Sequence, residues 1–122
     1  MSFDIRGAWQ IIPDDPDGRQ AVYVFSERHY SYLITDKDRG VSGLEVGSDE
    51  YLARAYDSLR AGSGTWEPDE TGIVCHYSLS RDPAFAAATM YWNIEGNDDR
   101  IDVRRVDGDG KEYRLLSLVR LG

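Results

Sequence analysis

The chain has 122 residues, 41% hydrophobic and 30% charged, which fits one folded domain spanning 1–122 with a single core. Twenty-two acidic residues against 14 Lys and Arg leave a formal net charge of -8. That balance argues against a nucleic-acid partner, whose phosphates are bound by basic side chains, and against docking on an anionic membrane.

In chain order, Ile5 to Ile12 reads as a first strand, closed by the loop Pro13-Asp14-Asp15-Pro16-Asp17-Gly18. Gln20 to Ser26 and His29 to Asp36 read as a β-hairpin. After a charged, glycine-bearing loop, Ser48 has the character of a helix N-cap with Asp49 and Glu50 in the first turn. Tyr51, Leu52, Ala55, Tyr56 and Leu59 then form one apolar stripe, and Gly62 and Gly64 mark the helix end. Gly64 to Pro68, Ile73 to Ser80, Ala87 to Glu95, Arg100 to Val106 and Tyr113 to Leu121 return to strands. Asp107-Gly108-Asp109-Gly110 is a hairpin turn between the last two. The expected architecture is all-β: a small closed antiparallel up-and-down barrel of about eight strands, with one helix between strands three and four.

No apolar run reaches membrane-spanning length. Met1 to Gly7 lacks the basic start and apolar stretch of a signal peptide. Cys75 is the only cysteine, so an intrachain disulfide is excluded and the cytoplasm is the expected compartment.

Gly7-Ala8-Trp9 on the first strand resembles the Gly-x-Trp signature of lipocalins. The later succession of Tyr23, Tyr30, the helix, Gly64-Thr65-Trp66-Glu67, Val74-Cys75-His76-Tyr77, Asp82-Pro83 and Ile94-Glu95-Gly96-Asn97 is similar to the bacterial and fungal lipocalin-like domain family. The resemblance implies a calycin-type barrel with a cavity more than it implies a reaction. In lipocalins an Arg on the last strand lies over the first-strand Trp, and Arg120 is the matching position.

Alternation groups Tyr30, Tyr32 and Ile34 on one face of strand three, and Met90, Trp92 and Ile94 on one face of a later strand. Tyr23, Tyr30, Tyr32, Trp66 and Trp92 are the expected ligand contacts, since apolar bodies with polar tips suit a cavity. If Arg120 faces inward, parity brings Leu118, Leu116 and Arg114 inward, where Arg114 suits a carboxylate, enolate or phenolate. The alternative is a solvated Arg114 with Tyr113, Leu115 and Val119 inward. Amphipathicity puts His76 outside with Val74, Ser78 and Ser80, whereas the resemblance points to a specific role, such as a general acid or base.

Only His29, His76 and Cys75 are available as soft metal ligands, so no metal centre is expected, and no motif calls for a cofactor. The first functional expectation is an intracellular barrel binding a small, largely apolar or aromatic molecule with a polar or anionic end. The second is a cofactor-independent cyclase, isomerase or dehydratase, with His76 or a tyrosine moving a proton and Arg114 stabilising negative charge. A third is a homodimer formed through the outer face of the last strand.

Overall fold

A computed structural model describes residues 3–121; Met1, Ser2 and Gly122, at the ends of the expected domain, lie outside the described residues. Eight strands follow one another: β1 (Gly7–Ile11), β2 (Arg19–Phe25), β3 (His29–Asp36), β4 (Leu59–Pro68), β5 (Gly72–Ser80), β6 (Thr89–Gly96), β7 (Arg100–Asp107) and β8 (Leu116–Arg120). They pair antiparallel in sequence order, and β8 returns to β1, so the sheet closes as an up-and-down barrel. The single helix, α1 (Asp49–Asp57), lies between β3 and β4 as expected.

Alternation sets the core. On β2 every second residue from Arg19 to Phe25 is buried, and Val22 and Val24 face solvent. Trp9, Tyr23, Ile73, Cys75, Ile101, Val103, Leu116 and Leu118 are at most 1% exposed, and together they fill the closed half of the barrel. Trp92 packs edge-on against Tyr23 and Phe25, with ring centroids 5.2 and 5.6 Å away.

Three boundaries differ from expectation, each for a local reason. Gly7 has φ +118°, which bends the chain so that Ile5 plugs the barrel end instead of extending β1. The helix stops at Ser58, whose backbone N–H bonds back to Arg54 and Tyr56, and β4 starts at once. Gly62 and Gly64 therefore lie inside a strand, where they allow close approach of neighbours rather than ending a helix. Finally, β8 starts only at Leu116, because Glu112 and Tyr113 make a separate bridge and bond to Val106 and Arg105. The apolar helix stripe is not buried: Leu52 and Tyr56 are exposed, and β4 is the one strand against which α1 packs among the described residues.

The short turns all lie at one end. Ser26 to Arg28, Asp69 to Thr71 and Asn97 to Asp99 join hairpins there, beside the N-terminal segment. Arg120 seals this end. Its guanidinium lies 4.2 Å from the Trp9 ring centroid and donates to the carbonyls of Asp98, Arg6 and Asp4 at 2.6, 2.7 and 2.6 Å. The Trp9 indole N–H donates to the Ile5 carbonyl at 2.8 Å. The expected meeting of Trp9 and Arg120 is thus present, with the two residues directly opposite in register.

At the other end the β1–β2 loop is pinned by an ion pair. The buried Asp15 carboxylate accepts from Arg19 Nε and Nη2, both at 2.9 Å, and from the Arg19 backbone N–H at 3.0 Å. The Arg19 hydrogen bonds hold the Asp15 carboxyl below the usual carboxylate range. Its folded pKa lies below the unfolded value of about 3.9, so the stabilisation is complete above that pH and fades as pH falls through the folded pKa. Asp15→Asn is expected to unfold at lower urea than the wild type at pH 7 and to lose less further stability between about pH 4 and pH 2. Urea midpoints measured across that range check this; equal acid slopes in the two proteins would refute it.

Candidate ligand-binding site

The longer connections gather at the end of the barrel opposite Arg120, and a cavity of about 520 Å³ opens there. This is a size ordinary for small-molecule sites. Its apolar lining comes from Tyr32 and Ile34 on β3, Tyr77 on β5, Met90 on β6, and Phe85 in the 3-10 turn Pro83–Phe85. Its charged lining is lopsided. Arg19, Arg60, Arg81, Arg105 and Arg114 outnumber Asp17, Asp36 and Asp82, in a chain whose overall charge is negative.

Three of the arginines are committed to carboxylates: Arg19 to Asp15, Arg60 to Asp36 at 3.3 Å, and Arg114 to Asp17 at 3.0 Å. Arg81 and Arg105 have no carboxylate partner among the described residues, and the Nε of each is buried without a hydrogen-bond acceptor. Arg81 lies 4.1 Å from the Tyr56 ring centroid and donates through Nη1 to the Tyr56 carbonyl, which ties the helix to the cavity wall. Arg105 follows Ile101 and Val103 on the inward face of β7 and donates through Nη2 to the Arg114 carbonyl at 3.3 Å. It reaches into the interior. Burial raises the Tyr23 phenol to about 12 and the Cys75 thiol well above its usual range, and the nearby Arg105 cation opposes both shifts.

The wall of β3, β4 and β5 carries hydroxyls. Tyr32 and Tyr77 meet with their oxygens 3.5 Å apart, and burial raises the Tyr77 phenol far above its ordinary value. Tyr32 lies over Gly62: a Cβ at that position would come within 2.9 Å of its ring. Gly64 stands opposite an extra residue in β5, since the pairing passes from Ser63–Leu79 to Gly64–Tyr77. The bulge reverses the parity of β5. Tyr77 and Ser80 both line the cavity, and Leu79, which plain alternation would put on the same face as Tyr77, is 70% exposed.

Of the ligand contacts expected from sequence, Tyr32 and Arg114 line the cavity. Tyr23, Tyr30 and Trp92 lie in the packed interior below it, and Trp66 sits towards the closed end, its indole N–H donating to the Ser26 carbonyl at 3.0 Å. Arg114 is neither inside β8 nor free in solvent: it stands at the mouth, largely exposed, beside Asp17. His76 is on the outer wall, with Nε2 3.3 Å from a Glu67 carboxylate oxygen and Nδ1 3.4 Å from the Thr89 hydroxyl. The structure does not bring it to the cavity. Tyr77, Arg81 and Arg105 are among the lining residues that the sequence reading missed. The periodicity of β7 carried the signal for Arg105.

On the outer side of β8, Ser117 is buried and its hydroxyl donates to Asp102 at 2.7 Å, Val119 is half-buried, and the flanking Leu115 and Leu121 are exposed. Among the described residues, no three His, Cys, Asp or Glu side chains converge as metal ligands, and no helix is long and apolar enough to cross a membrane.

These features define a closed eight-stranded antiparallel barrel, compatible with a calycin-like fold, that is plugged at one end and hollow at the other. No protein-family model, curated protein or solved structure matches the chain.

Proposed function

We propose that this chain is a lipocalin-like binding barrel for a small, largely apolar or aromatic molecule with an anionic end. The observation that carries the reading is Arg105: a cation on the inner face, without a carboxylate partner, at a cavity otherwise floored by Tyr32, Tyr77, Phe85 and Met90. A guanidinium in such surroundings pairs strongly with a carboxylate, and the aromatic floor supplies the contact area. The buried single thiol suits a reducing compartment, and we place the protein in the cytoplasm. The cyclase or isomerase reading now has no support from His76, so a proton donor for it would be sought at Tyr32 or Tyr77.

Calorimetric titration with 2-naphthoate and its neutral analogue 2-naphthamide tests the proposal. The carboxylate is expected to bind about 10-fold more tightly, and Arg105→Ala to abolish that preference. Failure of both compounds to bind, or an undiminished preference for the carboxylate in the variant, would overturn it.

A further inference from the structure

The inner wall around Tyr32 is short of hydrogen bonds. Tyr30, Tyr32 and Tyr77 stand in mutual contact, with centroids 6.0 to 6.3 Å apart. Their three hydroxyls share one contact, and that one is 3.5 Å long. Among the described residues, the Tyr30 hydroxyl is buried with no hydrogen-bond partner. Buried hydroxyls are normally satisfied, so this deficit marks a place where an acceptor is wanted. Burial raises the Tyr30 and Tyr77 phenols well above the ordinary value, so those two stay protonated. They act as donors.

The position of that wall matters as much as its chemistry. In a ring of eight strands in sequence order, β3 lies across the barrel from β7. Tyr32 on β3 and Arg105 on β7 therefore line opposite sides of one cavity, with Tyr77 beside Tyr32 on the same side. Arg105 brings a cation to the β7 side, and Tyr32 and Tyr77 bring uncharged donors to the β3–β5 side, which also carries Arg60, paired with Asp36, and Arg81. The two sides demand different groups of a ligand that spans them.

We propose that the ligand is two-ended: an aromatic carboxylate bound by Arg105 through its anionic group, carrying a remote uncharged acceptor oxygen, of the ketone or quinone kind, held by the Tyr32–Tyr77 hydroxyl pair. This rests on the anion-binding reading above and adds the identity of the far end. Gly62 belongs to the same device, since only a residue without a side chain leaves room for the Tyr32 ring.

The test uses 6-acetyl-2-naphthoate and 6-isopropyl-2-naphthoate, which share shape and charge and differ in the ketone oxygen. The intact protein is expected to bind the acetyl compound about 5- to 10-fold more tightly. Tyr77→Phe and Tyr32→Phe are each expected to erase most of that ratio, leaving affinity for the isopropyl compound within about 2-fold of wild type. Equal affinity for the two compounds, together with tight 2-naphthoate binding, would overturn this inference and leave the anion site standing. Failure of all three naphthoates to bind would overturn both. A ratio that survives in both Phe variants would also refute the assignment of the hydroxyl pair.

Discussion

Arg120→Ala is expected to lower the unfolding free energy by about 3 kcal/mol, a drop of roughly 10 °C in Tm for a domain of this size. The guanidinium donates to three backbone carbonyls, of Asp4, Arg6 and Asp98, and lies against the Trp9 ring. A charge-assisted hydrogen bond contributes roughly 1.5 to 3 kcal/mol when well shielded, and solvent around the partly exposed side chain reduces each one here. The stacking on Trp9 adds about 1 kcal/mol. Arg120→Lys distinguishes the planar fork from the bare charge, since an ammonium cannot serve three diverging carbonyls in the same geometry. It is expected to recover less than half of the loss. Thermal and urea unfolding of both variants give the answer, and a loss below about 1 kcal/mol in Arg120→Ala would show that the seal contributes little.

Gly64→Ala is expected to be at least as damaging, at about 3 kcal/mol or more, through overpacking rather than a lost contact. A Cβ on Gly64 would stand 1.9 Å from the His76 carbonyl oxygen and 3.0 Å from the Ser78 nitrogen, both backbone atoms of the bulged strand. Neither can rotate aside, so β4 and β5 would have to part where the bulge sets the direction of Tyr77. Gly108→Ala is the control. Its Cβ would meet nothing within 4 Å, and stability should change by about 0.5 kcal/mol or less. Near-ultraviolet circular dichroism of Gly64→Ala should also lose intensity, because Tyr77 packs against Tyr30 and Tyr32. A variant with native stability and spectrum would contradict the bulge geometry.

Much of this fold is legible in the residue pattern. The alternation of β2 and β3 and the Asp107 to Gly110 turn follow from period-2 spacing and turn chemistry, and the Trp9–Arg120 pair is implied by the lipocalin resemblance. The site was harder to see. Aromatic residues attract attention as cavity linings, yet Trp92 and Tyr23 serve as packing, because the closed half needs large side chains to fill it. Arg105 shares its face with Ile101 and Val103, but an arginine at a strand end is ordinarily taken as solvated. The reversal at Leu79 has no counterpart in spacing: an extra residue in one strand shows only once its partner is known. Gly62 and Gly64 illustrate the same limit, since a glycine after a helix and a glycine under a neighbouring strand look alike in sequence.

Of the eight strand pairings, only that of β1 with β8 joins segments far apart along the chain; the other seven link consecutive strands. The meander can grow by local steps with little loop-closure entropy, and nearly all of that cost falls on the final junction. Before that junction forms, the sheet has two open edges on which another molecule's strand could template. Afterwards it has none. Arg120, which reaches from β8 to the carbonyls of Asp4 and Arg6, acts on that step. Its hydrogen bonds form only once that junction has closed, so they stabilise the state in which neither edge is open.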